Sequence, residues 1–379
     1  MLSRTGFKVT VLTSKFDNEK EVSEEGKLTV YRLPLLNRTE GLKFATLMRF
    51  DILFSSFMRR LLKRADIVYI PRLWYSAIPL AKSMKKPVLV HLHDYIPICP
   101  LSSAFDVSKD APCTNRGKLC SPKCIHAHER MQGRKDSDVM KSILLNSILK
   151  HYADSLLKLC DTILCVSKMQ RNLLADATPS LGRKAVVIYN PLPEVSSLDI
   201  EGNDFGYFGG LNHLKGFHIL FRAVTDLEQI TELRSNIHVT RFSTKDDDLK
   251  ERLMKMHFVL HGNLDEHQYE MLYKHIRAVI IPSVWHEPLP YVVSEAIIRG
   301  RFVIASRVGG IPEQIEGCKG TILYEAKDHK ALAEALELVN NLGREEIVEL
   351  GFQNREVFLK RFDNETILRR FIKLCEQMA

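Results

Sequence analysis

The sequence predicts an α/β protein built from two Rossmann-like parallel-sheet domains that face each other across a cleft. Three observations carry this expectation. β-Branched strand runs alternate with helical patterns in both halves, the signature of parallel sheets covered on both faces. An aperiodic stretch at 191–203, rich in Pro, Ser, Gly and acidic residues, interrupts the alternation and reads as a linker. A chain of 379 residues exceeds one ordinary core and suits two.

In the first half, Phe7–Ser14 (FKVTVLTS) and Leu28–Leu33 (LTVYRL) read as strands. Residues 41–64 have helical period, with Phe44, Leu47, Met48 and Phe54 on an apolar side. Asp66–Ile70 and Pro87–Leu92 are short buried strands, the second ending in His93-Asp94. A loop rich in Cys and Pro follows, then a long helix over Ser137–Cys160, a strand over Asp161–Ser167, a helix from Lys168 and a strand over Ala185–Tyr189. The second half repeats the alternation. Strands are expected at Phe205–Phe208, Ile237–Phe242, Phe258–His261, Ala278–Ile281, Phe302–Ser306 and Gly320–Tyr324. Helices are expected from about Phe217, from about Tyr291, over Ala331–Leu342 and over Gly351–Met378. The domains are then 1–190, 204–354 and a terminal helical segment, 355–379.

Hydrophobic residues at 45% and charged residues at 26% are a globular composition and exclude a disordered chain. No run of about 18 apolar residues marks a membrane span, and the N-terminus does not read as a signal peptide. These features suggest a cytoplasmic protein. The net charge of +8 is scattered, which suits a solvated surface or attraction to phosphates and anionic membranes. No recognised module or basic-aromatic stripe points to nucleic acid. Residues 43–64 mix Phe44, Leu47, Phe50, Phe54 and Phe57 with Arg49, Arg59, Arg60, Lys63 and Arg64. They read either as an ordinary packing helix or as a peripheral contact with the inner face of a membrane. Cys99, Cys113, Cys120 and Cys124 crowd one segment, and only Cys120/Cys124, with His126 and His128 nearby, has zinc-like spacing. A metal site, disulfides or plain thiols all remain open there.

The densest chemistry lies at Pro282–Glu295 (PSVWHEPLPYVVSE). A buried strand ends, a Pro-rich loop follows, and a helix opens after Pro288 and Pro290. Glu287 falls in the loop and Glu295 on the helix, flanking a helix N-terminus whose free N–H groups suit a diphosphate. One element can therefore hold sugar, diphosphate and ribose.

This E-x7-E stretch, with PS before it and EAIIRGRFVIASRVGGIPEQI after it, resembles the signature of retaining glycosyltransferase family 4, the group 1 glycosyl transferases of GT-B fold. Gly209-Gly210-Leu211 to Lys215-Gly216 resembles the family's G-R-L-x-x-x-K-G loop, and Gly309–Glu313 its loop after the next strand. His93-Asp94-Tyr95 resembles its strand-end histidine, with Val166-Ser167 and Asn190-Pro191 also in family positions. The resemblance covers nearly the whole chain. It implies transfer of a hexose from a nucleotide sugar to a saccharide or lipid-linked acceptor, with retention of configuration and no metal or other cofactor. It implies that Glu287 holds donor sugar hydroxyls, Glu295 the ribose, Lys215 the leaving diphosphate, and that His93 lies near the reacting sugar. Gly209, Gly210, Pro288, Leu289, Pro290, Gly309 and Gly310 would line the donor. The terminal helix is implied to pack back on the first domain.

Two departures stand out. Gly210 occupies the position of the family's arginine, leaving Arg241, Arg307 or His213 as substitutes. LSRTGFKVTVLTS resembles the end of the family's first helix and its second strand, so an earlier strand and loop are expected upstream of Met1. Alternative readings on the same architecture are an inactive nucleotide-sugar-binding scaffold and a nucleotide-sugar epimerase.

Overall fold

The computed structural model describes residues 2–16, 18–37, 49, 51–230 and 235–379, without the side chains of 147, 229 and 230. In the first unit, strands β1 (Val9–Ser14), β2 (Val22–Glu25) and β3 (Leu28–Leu33) form a sheet of order β1-β3-β2. β1 runs parallel to β3, and β2 antiparallel to it. Strands β4 (Val68–Pro71), β5 (Val88–Leu92), β8 (Thr162–Cys165) and β9 (Ala185–Val187) form a second, all-parallel sheet in that order. β1 and β4 are each an edge, with Val11 and Tyr69 exposed on them. β5 and β8 are almost wholly buried, which is why they read as continuous apolar runs. Between them lies a small hairpin of β6 (Phe105–Asp106) and β7 (Ala111–Pro112).

The second unit is one six-stranded parallel sheet. Its strands are β10 (Asp204–Tyr207), β11 (Ile237–Val239), β12 (Phe258–Leu260), β13 (Ile276–Ile281), β14 (Phe302–Ser306) and β15 (Thr321–Tyr324). Their spatial order is β12-β11-β10-β13-β14-β15. The direction of winding reverses between β10 and β13, so the crevice at their carboxyl ends is the switch point where such sheets bind ligands.

The linker is held to the second unit by a buried cation. Arg301, fully buried, donates from Nη1 to Leu198 O (2.7 Å), from Nη2 to Asp199 O (2.9 Å) and from Nε to Tyr273 O (2.8 Å). Burial pushes its pKa down to about 10. Carbonyls satisfy the charge that this burial strips of water.

The terminal segment is two helices. Arg344–Arg361 packs on the Tyr291–Ile298 helix, with Gly351 tight against the Gly300 carbonyl. The chain breaks at Phe362-Asp363, where Asp363 accepts from Thr366 N (2.7 Å) and caps Asn364–Met378. That last helix sets Ile367, Phe371, Leu374 and Met378 against Leu89, Leu164 and Ile188 of the first unit. The expected single helix over 351–378 is instead two helices with a break at the Asp363 cap.

Of the expected helix over 41–64, residues 41–48 and 50, including Lys43, Phe44, Leu47, Met48 and Phe50, lie outside the described residues. Asp51–Phe54 and Ser56–Arg64 are helical and bury Ile52, Met58 and Leu62 in the first core. Among the described residues, no helix is long and apolar enough to cross a membrane.

Replacing Arg301 with Met should leave four carbonyls, those of Leu198, Asp199, Tyr273 and Arg299, without their charged donor. We expect a loss on the order of 3 kcal/mol, read as a lower urea midpoint by tryptophan fluorescence. A midpoint equal to the native chain's would contradict the anchoring role.

Candidate functional site

The site is built on the loops that follow β10 and β13. All six residues of β13 are buried, and the chain leaves it through Pro282 into the Pro-rich loop. Glu287 in that loop is only 3% exposed. Its Oε1 accepts from Ser283 Oγ (2.7 Å), Trp285 Nε1 (2.9 Å) and Lys215 Nζ (2.7 Å). A buried carboxylate requires such partners to stay charged. Two of these donors, Ser283 and Trp285, received no role from the sequence. Their only signal is their position, four and two residues before the glutamate.

Lys215 reaches Glu287 because its loop is pressed against the loop after β13. Val284 N donates to Leu214 O (3.0 Å). Gly216, at φ +78°, sits so close that a Cβ there would lie 1.8 Å from Pro282 O. The Lys215 ammonium also lies 5.6 Å from the Trp285 ring centre. Gly209 faces the Tyr207 hydroxyl, which a Cβ would meet at 2.3 Å.

Gly309 and Gly310 form a shelf under Glu287. Gly310 N donates to Glu287 O (2.7 Å). A Cβ on Gly309 (φ +56°) would lie 2.0 Å from Glu287 O, and one on Gly310 2.3 Å from Pro288 O. The two glycines thus serve the close approach of two backbones. Gln314 continues the support, donating from Nε2 to Pro290 O (3.1 Å) and Ser294 Oγ (2.8 Å).

Leu289 is buried, and Pro290 is the N-cap of the Tyr291–Ile298 helix with no side-chain cap bond. The first amides of that helix therefore remain open to a ligand. Glu295, in its second turn, has its pKa raised by burial, against the opposing positive charges of Arg299 and Arg241. Among the three cations considered as substitutes at Gly210, His213 bonds Asp110 and Arg307 pairs with Glu325 (3.0 Å). Arg241 is exposed beyond β11 and is the one whose charge reaches Glu295. Gly210 itself has φ +56° and no room for a side chain, since a Cβ would lie 2.5 Å from Arg241 O.

The first unit presents its own strand ends to this loop. His93 follows β5, and burial, then the Arg72 charge, hold its pKa below the ordinary imidazole range, with Asp94 opposing. The His91 ring lies 4.2 Å from it, tilted by 41°, is bonded to the Tyr69 hydroxyl (2.6 Å), and is pushed to about 3 by burial. Asp94 is committed to structure, accepting from Ile96 N (3.0 Å) and lying 3.6 Å from Arg72. Tyr95 sets its ring edge-on to Trp285 at 6.3 Å, so the His93–Tyr95 turn faces the Glu287 loop across the cleft.

Further contacts join the units. Glu313, just beyond the glycine shelf, accepts from Lys168 N (2.9 Å) at the start of the Lys168–Ala177 helix and from the Tyr189 hydroxyl (2.6 Å). Ser167 lies beside Gly310. The Cys-bearing segment crosses the seam as well: Phe105 is buried in the second unit's core, and Asp110 contacts His213 (2.8 Å) and Lys327 (2.5 Å). All eight cysteines are free thiols, so the segment carries no disulfide.

Two Rossmann-like units with a cleft at facing strand ends define the GT-B class of fold. The solved structure of sucrose-phosphate synthase from Thermosynechococcus elongatus is similar over 100% of this chain and 90% of that one, at 17% identity and TM-score 0.69. Anabaena HepE in complex with UDP and glucose is similar over 92% and 86%, at 14% identity and TM-score 0.59. Among curated proteins, an uncharacterized 42.6 kDa protein in the cps region of Klebsiella pneumoniae is 30% identical over 129 residues. The chain spans a third to a half of the length of the curated relatives it matches. The model of Glycosyltransferase Family 4 matches residues 1–194, and that of Glycosyl transferases group 1 matches residues 202–341. The chain belongs to Glycosyltransferase Family 4.

Gly309→Ala should force the Glu287 backbone away and strain the left-handed residue by about 1–3 kcal/mol. Thermal unfolding should show a lower Tm. An unchanged Tm would mean that the shelf tolerates a methyl group and does not position Glu287.

Proposed function

We propose that this protein transfers a hexose from a nucleotide diphosphate sugar to a saccharide or lipid-linked acceptor, with retention of anomeric configuration and without a catalytic metal. The observation that carries the reading is the buried Glu287 carboxylate, paired with Lys215 at the switch-point crevice and faced by the His93 turn of the other unit. Likeness to a structure holding UDP and glucose supports the donor class.

In this reading Glu287, an acceptor-only group fixed by three donors, orients the hydroxyls of the donor sugar. The diphosphate lies against the open amides at Tyr291 and Val292 and the Lys215 ammonium, and Glu295 holds the ribose. As the C1–O bond to the diphosphate breaks, its electron pair goes to the leaving nucleoside diphosphate, whose growing charge Lys215 and the helix terminus stabilise. The acceptor oxygen bonds C1 from the same face, and its proton passes to the departing phosphate oxygen. His93, neutral at physiological pH, lines the reacting sugar and contributes no charge there.

A panel of nucleotide sugars tested by thermal shift should raise the Tm of the native chain with one donor. Glu295→Ala should abolish that shift. With that donor, Lys215→Ala should lower kcat about 10²–10³-fold. No shift with any donor, in a chain shown to be folded, would overturn the enzyme reading in favour of a non-catalytic scaffold.

A further inference from the structure

A second cluster of chemistry-bearing side chains lies where the Cys-bearing segment meets the loop of Lys215. Asp110 is in the β6–β7 turn of the first unit, held at φ +48°. His213 lies two residues before Lys215, and His218 is in the first turn of the Phe217–Ile230 helix. One ligand atom from each lies within 4.8 Å of the others, and among the described residues no other three His, Cys, Asp or Glu side chains gather so closely. Cys120 and Cys124, with the zinc-like spacing, are not part of such a set.

His213 Nε2 stands 2.8 Å from Asp110 Oδ1, and the two imidazoles lie parallel, 4.1 Å apart with 3° between their planes. His218 Nδ1 is buried and has no hydrogen-bond partner, so one lone pair or proton on this ring goes unanswered within the protein. The other group facing Asp110 is Lys327, 2.5 Å from Oδ2 and 5.5 Å from the Phe105 ring centre.

We propose that Asp110, His213 and His218 bind one divalent transition-metal ion, zinc by the chemistry of the donors, and that this ion clasps the two units together. Two imidazoles and one carboxylate match a zinc ligand set, with water in the fourth position. Tetrahedral zinc with bonds of about 2.0–2.2 Å sets its ligand atoms about 3.3 Å apart. The rings lie parallel in the metal-free state, so metal binding requires them to turn about their side-chain torsions until an in-plane nitrogen lone pair of each points at the same ion. Lys327 holds the carboxylate in the metal-free state and, being partly exposed, can turn to solvent when a dication takes its place. The ion lies beside the Lys215 loop and acts on how that loop is held to the first unit, so the transfer chemistry proposed above needs no metal.

The test uses the full chain, stripped with a chelator and titrated with zinc against a chromogenic competitor. We expect one zinc per chain, a raised Tm, and a loss of affinity of at least about tenfold in both Asp110→Asn and His218→Ala. Cobalt(II) in place of zinc should show no thiolate charge-transfer absorption, and Cys120→Ser with Cys124→Ser should bind zinc as the native chain does. Asp110 is exposed enough that its asparagine variant keeps the fold, which circular dichroism checks. Absence of stoichiometric zinc, binding indifferent to Asp110→Asn, or a thiolate band lost with the two cysteines would each overturn the proposal.

Discussion

A buried carboxylate with three donors on one oxygen is the constraint around which this molecule is arranged. Ser283, Trp285 and Lys215 all donate to the buried Glu287 carboxylate and replace the water it has lost. Ser283 and Trp285 come from its own loop, but Lys215 comes from another strand end. The loops after β10 and β13 must therefore meet, and they do so because those strands are neighbours at the point where the sheet reverses its winding. The glycines follow from the same demand. Gly216 lets one loop press on the other, and Gly309 and Gly310 let a third pass under the Glu287 backbone. Any Cβ at these places would push the carboxylate out of reach of its partners.

Polar contacts cross the cleft at both ends. Glu313 gives its charge to the N-terminus of the Lys168–Ala177 helix, where the helix dipole favours an anion. Asp110 meets His213 and Lys327 from the other side. Apolar contact is supplied by Phe105 and by Trp285, which packs against both cores. The last helix lies across the four-stranded sheet of the first unit, so the chain passes between the units twice, once at the linker and once at Asp363. Polar seams of this kind open at lower cost than apolar ones, as a cleft that must admit and release a ligand requires.

The sequence made the local part of this legible. Glu287, Glu295 and Lys215 sit in short motifs whose chemistry depends on spacing along the chain, and strands such as β13 and β14 announce themselves as apolar runs. The fold class and the family followed from those. What escaped was of two kinds. The helices Asp247–Lys255 and Glu266–His275 are largely polar and exposed, and Pro122–Met131 is hidden by its Cys, Pro and His content. The break at Phe362 was masked by continuous helical period, although Asp363-Asn364-Glu365-Thr366 carries a capping signal. The contacts of Asp110 with His213, of Glu313 with Lys168 and of Arg301 with the linker join residues about a hundred or more positions apart. No periodicity encodes such pairs.

The proposed donor site lies between the Lys215 loop and the start of the Tyr291–Ile298 helix. Hydrogen–deuterium exchange with and without a nucleoside diphosphate sugar tests it most directly, because it reports on the amides themselves. Exchange should slow in the segment 209–216 and at Tyr291 and Val292, with little change at β12. Protection confined to other parts of the molecule, or none with any nucleotide sugar at saturating concentration, would contradict it.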